Sequence, residues 1–153
     1  MIFFLYSKNN LIYYVAGAGD CRAVLSKNGI AIPLSKDHRP HLESERILKA
    51  GGWIHDGRLN GVLGISRGFG DIEYKIKKEE SWECKFHDDL VISEPDITRG
   101  DIDEDTEFIL LASDGLFDVL NSQEAINYAR KKLVESNDIE FVATAIIKKV
   151  DFF

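Results

Sequence analysis

Four short apolar segments, separated by turn-forming residues, occupy the first 34 positions of the chain. The pair Asn28-Gly29 lies between the last two segments and readily adopts the positive backbone φ angles of a tight hairpin turn. The turn-rich run Ser7-Lys8-Asn9-Asn10 separates the first two in the same way. Connections this short join antiparallel strands, so this part predicts an antiparallel sheet. The predicted strands cover residues 2–6, 11–16, 23–26 and 30–34.

The middle of the chain has a less regular pattern. Residues 53–55 are a candidate for a short strand. Residues 57–70 contain five glycines, too many for a regular element. Residues 73–89 are charged and weakly patterned, so they are predicted to form a surface loop. Residues 108–113 then form an apolar run of strand length, which predicts an inner strand of the sheet.

Helical periodicity appears in the middle and at the end of the chain. Residues 43–50 have helical spacing and are followed by Gly51-Gly52, which favours a left-handed helix stop. Asn121 and Glu124 have the spacing of a capping box and predict a helix over 122–134. A further helix is predicted over 138–150. Strands first and helices later favour an α+β fold. The inward positions of the last two helices are predicted to be Ile126, Ala129, Leu133, Phe141, Val142, Ala145 and Ile146.

Composition narrows the possible functions. The 153-residue chain is 44% hydrophobic, which predicts one globular domain and excludes disorder throughout. Its formal charge of −7 argues against nucleic-acid binding and suits a site that collects divalent cations. Two cysteines predict neither a disulfide framework nor a zinc site, and they favour a reducing intracellular compartment, cytoplasmic or nuclear. No apolar run is long enough for a signal peptide or a membrane span, so a membrane partner is not expected.

Three aspartates are the candidate metal ligands. Asp20 follows a glycine after one apolar strand, whereas Asp114 follows another strand and precedes Gly115. Asp118 lies four residues further on. Carboxylates at strand ends and turns are the oxygen ligands that Mg²⁺ and Mn²⁺ prefer. The alternative reading remains open, because Asp beside Gly is also common in ordinary turns and caps.

The other candidates are weaker. Residues 64–70 resemble a phosphate-cradling loop but lack its Gly-Lys-Ser/Thr ending. Asp37-His38 is a candidate acid/base pair, although a structural hydrogen-bonding role is the commoner one. Ser66 has no nearby base to activate it as a nucleophile. His55 and His87 show no metal-ligand spacing.

Seven motifs follow one another in order over most of the chain. They are Gly19-Asp-Cys-Arg-Ala-Val-Leu25, Asp37-His-Arg-Pro40, Glu45-Arg-Ile47 with Ala50-Gly-Gly52, Arg58-Leu-Asn-Gly61, Ile65-Ser-Arg-Gly-Phe-Gly-Asp71, Glu94-Pro-Asp-Ile97 and Leu111-Ala-Ser-Asp-Gly-Leu-Phe-Asp118. Together they resemble the metal-dependent Ser/Thr protein phosphatases of the 2C (PPM) family, and their extent makes the resemblance specific. Minor departures are Cys21, where Ser is common, and Phe117, where Trp is frequent.

The resemblance implies a sandwich of two antiparallel sheets flanked by helix pairs, with a Mg²⁺ or Mn²⁺ centre at one edge. It implies that Asp114 binds the binuclear metal pair, and that Asp20 and Asp118 help to hold a third, weaker metal. Residues 39–63 correspond to the family's mobile flap beside the catalytic cleft. The implied reaction is hydrolysis of phosphoserine or phosphothreonine in protein substrates by metal-activated water.

Two family motifs do not occur in the sequence. These are the Asp-Gly-His-Gly motif, whose Asp bridges both metals, and the closing Asp-Asn motif; the family's phosphate-binding Arg is not found either. Residues 1–153 are therefore predicted to be a partial phosphatase domain, inactive alone, in which no catalytic residue is assigned. Two alternatives remain: a non-catalytic phosphatase-like binding module, and a fragment that does not fold alone because its sheet edges and core stay uncovered.

Overall fold

The computed structural model describes residues 2–7, 11–75 and 86–151. The strands are β1 (Ile2–Ser7), β2 (Ile12–Gly17), β3 (Arg22–Lys27), β4 (Ile30–Pro33), β5 (Ile54–His55), β6 (Arg58–Leu59), β7 (Asp96–Asp101) and β8 (Thr106–Ala112). The helices are α1 (Ser44–Lys49), α2 (Asp114–Phe117), α3 (Ser122–Ser136) and α4 (Ile139–Val150). Two short 3₁₀ helices are Pro40–Glu43 and Ile72–Tyr74. None of the helices in these ranges is long and apolar enough to cross a membrane.

The strands form two three-stranded antiparallel sheets and a small hairpin. The first sheet has the order β1-β2-β7 and the second has the order β4-β3-β8, while β5 and β6 pair with each other. The hairpin turn at Asn28-Gly29 has the predicted positive φ angles, 49° and 78°. The antiparallel core predicted from the short connections is therefore confirmed.

The two sheets and the last two helices form three layers. Tyr13 and Val15 of the first sheet pack against Ala23 and Leu25 of the second sheet. The opposite face of the second sheet packs against α3 and α4. Because alternate residues of a strand point to opposite faces, β8 contributes to both interfaces. The residues of this second interface include Phe108, Leu110, Ala112, Ala125, Ala129, Val142 and Ile146.

Two details of this packing differ from the predictions. The apolar run 108–113 predicts an inner strand, but within the described residues β8 pairs only with β3 and lies at the edge of its sheet. Its apolar residues are partly buried on two faces, Ile109 in the core between the sheets and Phe108, Leu110 and Ala112 against the helices. Val142 and Ile146 of α4 face inward as predicted, but Phe141, also predicted to face inward, is 43% exposed.

Helix α3 is fastened at its start to the β3–β4 hairpin. The capping box is present: the Asn121 side chain accepts a hydrogen bond from the Glu124 backbone N–H, and the Glu124 side chain accepts one from the Asn121 backbone. One residue before Glu124, the amide of Gln123 donates to the Gly29 carbonyl (2.8 Å) and accepts from the Ala31 N–H (2.9 Å). The helix therefore starts where predicted and holds the open side of β4.

A third apolar core lies between α1 and the segment that leads to β7. It is built on Ile47, Leu59, Leu90 and Val91, all fully buried. Tyr74 also belongs to it, although the charged stretch 73–89 predicts a surface loop. The Tyr74 carbonyl accepts from the Leu90 N–H (2.8 Å), so the start and end of this stretch close on each other. Residues 76–85 lie outside the described residues.

A glycine on β7 provides a test of the first sheet. Gly100 lies directly opposite Tyr13, and a Cβ atom at position 100 would overlap the Tyr13 ring and hydroxyl. Tyr13 is buried between the sheets, so its ring has little room to move aside. We expect Gly100→Ala to lower the free energy of unfolding by about 2 kcal/mol, the usual scale of overpacking.

Urea unfolding measures this loss, and Gly70→Ala is the control. Gly70 has no positive φ, and a Cβ atom added there would meet no heavy atom within 4 Å. Equal losses for the two variants would contradict the prediction, because of these two glycines only Gly100 faces an aromatic ring.

Candidate metal centre

The pairing of β3 with β8 brings two of the candidate ligands to one edge of the second sheet. Arg22, the first residue of β3, is paired with Ala112, the last residue of β8. Asp20 lies two residues before Arg22, and Asp114 lies two residues after Ala112. Since the strands are antiparallel, the start of β3 and the end of β8 lie side by side. Asp20, just before β3, and Asp114, just after β8, are therefore at the same edge of the sheet. Two loops that are far apart in the sequence therefore meet there.

The turn that carries Asp20 is held by a buried histidine. Gly19 has a φ of 117°, a conformation that favours glycine. The His38 backbone N–H donates to the Gly19 carbonyl (2.9 Å), and the His38 Nδ1 lies 3.2 Å from the Gly19 nitrogen. The His38 side chain is only 4% exposed. Of the two roles considered for Asp37-His38, the contacts show the structural one.

The loop that carries Asp114 and Asp118 is a single helical turn. Asp114 begins α2, and one of its carboxylate oxygens, Oδ1, accepts from the Gly115 N–H (2.9 Å). The Asp118 N–H donates to the Asp114 carbonyl (2.7 Å), which places Asp118 one turn further along. Asp114 and Asp118 are both exposed. The loop thus presents two carboxylates beside the Asp20 turn.

The positively charged side chain of Arg22 lies beside the loops that carry these carboxylates. Arg22 donates to both carboxylate oxygens of Asp37, at 3.1 Å and 2.8 Å. Its guanidinium carbon also lies 4.7 Å from the centre of the Phe117 ring. The hydrogen bonds to Asp37 raise the pKa of Arg22, against the opposing effect of burial, and the negative charges of Asp37 and Asp118 raise it further. Arg22 therefore links the Asp20 turn to the Asp114 loop.

The residues fit a hard divalent cation in chemical type. All three candidates offer carboxylate oxygens, and within the described residues Asp20 and Asp114 form no ion pair that would occupy them. The described part of the chain does not, however, hold three or more His, Cys, Asp or Glu side chains grouped closely enough to bind one ion. This edge therefore offers carboxylates that are suitable as ligands but do not by themselves enclose an ion.

The segment around α1 is anchored by a network of charges that no sequence motif indicates. The Glu43 carboxylate accepts from Arg67 Nε (2.6 Å) and from Arg46 Nη2 (2.8 Å). Arg67 also donates to Asp96 (3.2 Å) at the start of β7. Burial acts to raise the pKa of Glu43, but hydrogen bonds from Arg67 and Arg46 outweigh it and hold the pKa below its usual value.

The remaining candidates do not join the acidic edge, which is the end of the second sheet where the loops with Asp20, Asp114 and Asp118 lie. Ser66 is fully buried, and its N–H donates to the His38 carbonyl (2.9 Å). Arg67, within the loop compared with a phosphate cradle, is engaged by Glu43 and Asp96. His55 is exposed and lies 3.3 Å from Asp56. His87 is also exposed, and its backbone N–H donates to the Ala50 carbonyl.

Comparison with known proteins decides the family. Residues 2–150 match the family described as protein phosphatase 2C. The chain belongs to that family. Its α+β sandwich of antiparallel sheets with flanking helices is the predicted fold, so the resemblance inferred from the seven motifs is confirmed. Proteins of this family are metal-dependent, in keeping with the acidic edge.

The individual relatives are plant proteins and a parasite phosphatase. The chain is 40% identical to "Probable protein phosphatase 2C 21" of Arabidopsis thaliana over 89% of its own length and 38% of that protein. It is 42% identical to "Probable protein phosphatase 2C 2" of Oryza sativa subsp. japonica, covering 82% of the chain and 32% of the relative.

A solved structure agrees with these relatives. It is a phosphatase from a pathogenic strain of Toxoplasma gondii, with a TM-score of 0.77 and 29% identity, covering 91% of this chain and 43% of that one. The chain thus spans about two fifths or less of the length of the two plant relatives.

Proposed function

We propose that this chain is the part of a Mg²⁺- or Mn²⁺-dependent protein Ser/Thr phosphatase domain that carries the second sheet and its acidic edge. The observation that supports it most is the register of β3 against β8, which brings the Asp20 turn and the Asp114 loop together. Membership of the protein phosphatase 2C family supplies the reaction class. The proposed substrates are proteins phosphorylated on Ser or Thr.

The proposed ligands are the three aspartates. Asp114 would hold an ion of the binuclear centre, while Asp20 and Asp118 would share in a weaker site. Their all-oxygen donor set favours Mg²⁺ or Mn²⁺ over softer metals. When bound, such ions lower the pKa of water and stabilise charge on phosphoryl oxygens. The chain's own contribution is to fix these carboxylates, through the Gly19–His38 contacts on one side and α2 on the other.

We also propose that residues 39–63 are the flap beside the catalytic cleft. The segment contains α1 and the β5–β6 hairpin, and it packs with Tyr74, Leu90 and Val91 in an apolar cluster separate from the two clusters of the sandwich. Arg46 ties it to the segment that leads to β7, because its guanidinium donates to the backbone carbonyls of Asp89 and Leu90. An intracellular location, cytoplasmic or nuclear, is proposed from the low cysteine content alone.

A second candidate function is a non-catalytic module that binds partners through the retained fold. It is favoured by one observation: the described residues do not group three potential ligands around one ion. The two functions differ in whether divalent cations bind at the acidic edge and whether phosphate is released.

The assay is turnover of a phosphothreonine peptide by the natural protein, meaning the protein as the cell makes it, with any residues that precede or follow positions 1–153. Turnover is measured with Mn²⁺ and then with excess chelator. We expect turnover that depends on Mn²⁺ and is lost when the metal is removed. Turnover that survives the chelator would contradict metal-dependent hydrolysis, and no turnover under any condition would favour the binding module.

The 153-residue chain purified alone is expected to hydrolyse the same peptide little or not at all. Hydrolysis with two metal ions would need ligands for both ions, and the chain supplies Asp114 but not the aspartate of the family's Asp-Gly-His-Gly motif. Robust Mn²⁺-dependent turnover by these 153 residues would show that other carboxylates complete the centre.

A further inference from the structure

We propose that Asp37 is a positioning residue that keeps the Arg22 guanidinium from pairing with the carboxylates of the acidic edge, so that these carboxylates stay available to a divalent cation. The inference rests on the proposed function, since it assumes that Asp20, Asp114 and Asp118 serve as metal ligands. It gives Asp37 a role in metal binding although Asp37 itself is not among those ligands.

Asp37 and Arg22 form a bidentate ion pair. Nε and Nη2 of Arg22 each donate to a different oxygen of the Asp37 carboxylate. The Asp37 side chain is 14% exposed, so the pair is partly shielded from water and salt. Parallel hydrogen bonds of this kind fix the orientation of a guanidinium as well as its charge. Arg39 Nε also lies 3.6 Å from the Asp37 carboxylate.

Arg22 also lies against the loop that carries Asp114 and Asp118. Its guanidinium lies over Phe117, the residue immediately before Asp118. An arginine released from Asp37 would pair with a carboxylate of this loop, because a guanidinium matches carboxylate geometry well. A carboxylate that is paired with arginine is a poorer ligand for a cation.

The placement of Asp37 follows from its neighbour. His38 bonds to Gly19 through its backbone and approaches it through its ring, while Asp37 bonds to Arg22. Asp20 lies between Gly19 and Arg22 in the sequence. The dipeptide Asp37-His38 therefore contacts the chain on both sides of Asp20. His38 fixes the turn, and Asp37 keeps the neighbouring cation out of the metal site.

The test is Mn²⁺ binding by the purified natural protein, followed by the electron paramagnetic resonance signal of free Mn²⁺. We expect Asp37→Asn to weaken binding about threefold, the scale of one part-exposed ion pair. Adding Arg22→Gln to Asp37→Asn is expected to restore binding, because the competing cation is gone. A role of Asp37 in folding alone would not give this restoration.

The matched control is Asp103→Asn. Asp103 pairs with Lys27 at the other end of β3, so the change frees a cation on the same strand but far from the acidic edge. Its Mn²⁺ affinity should equal that of the unaltered protein. If Asp37→Asn does not fold, Arg22→Gln alone still decides: binding at least as tight as the unaltered protein supports the inference, and weaker binding overturns it.

These variants distinguish a failure of the metal assignment from a failure of this inference alone. If Asp114→Asn leaves Mn²⁺ binding unchanged, the metal assignment fails and this inference with it. If Asp114→Asn weakens binding but Asp37→Asn does not, or if Arg22→Gln fails to restore it, only the inference is overturned.

Discussion

Asp114→Asn is expected to lower the Mn²⁺-dependent turnover of a phosphothreonine peptide by the natural protein about a thousandfold, because a catalytic metal contributes several kcal/mol of charge stabilisation. The substitution keeps the shape of the side chain and the bond from Gly115 to its Oδ1 position. It removes the negative charge that an ion of the proposed centre would need. The loss should appear in kcat and should be relieved only partly by higher Mn²⁺ concentrations.

Asp105→Asn is the control for this prediction. Asp105 is an exposed aspartate at the opposite end of β8, just before the strand begins. It should leave turnover and thermal stability unchanged. Turnover that stays normal in Asp114→Asn, with the thermal midpoint also unchanged, would show that Asp114 is an ordinary cap aspartate.

Glu43→Gln is expected to lower the free energy of unfolding by about 3 kcal/mol, since removing one charge of a buried group leaves its partners uncompensated. The Glu43 side chain is only 13% exposed and accepts hydrogen bonds from both Arg46 and Arg67. Glutamine keeps the length of the side chain but cannot balance two guanidinium groups.

Protonation of Glu43 at low pH should lower the stability of the protein. Hydrogen bonds from arginine hold the pKa of Glu43 below its usual value in the folded state, despite the opposing effect of burial. Its stabilisation should therefore be complete above about pH 4.3, the ordinary pKa of glutamate, and should be lost as the pH falls through the lower folded value.

Urea unfolding of the unaltered protein and Glu43→Gln between about pH 7 and pH 3 measures both effects. Glu45→Gln is the matched control, because Glu45 lies on α1 as well but is 84% exposed and, among the described residues, pairs with Lys49 alone. It should change stability by less than about 0.5 kcal/mol. A similar loss for Glu43→Gln and Glu45→Gln would refute the role of the buried network.

The elements that could be predicted from the sequence have local signals. Asn28-Gly29 and the capping box of Asn121 depend only on neighbouring residues, and both are found as predicted. Strand β7 has no such signal: Asp96–Asp101 is polar and contains a glycine. It becomes a strand because β2 pairs with it and Tyr13 packs over Gly100. That interaction depends on tertiary structure, which a local pattern does not contain.

The candidate site likewise contains residues that local sequence patterns identify and contacts that such patterns do not reveal. Asp20 and Asp114 could be selected because each stands beside a glycine after an apolar strand, and the register of β3 and β8 does bring their loops to one edge. The pairing of Glu43 with Arg67 joins residues 24 positions apart, and neither residue has a neighbour that points to the other. The Arg22–Asp37 pair spans 15 positions and could not be predicted for the same reason.

The bond between Gln123 and the β3–β4 hairpin also bears on how the protein behaves at high concentration. A free strand edge can recruit a strand from another molecule and so begin aggregation. On the outer side of β4, the Gln123 amide already occupies the Gly29 carbonyl and the Ala31 N–H, and Pro33 has no N–H to offer. Helix α3 thereby protects an edge whose exposed Ile30 would otherwise be a point for intermolecular β-pairing.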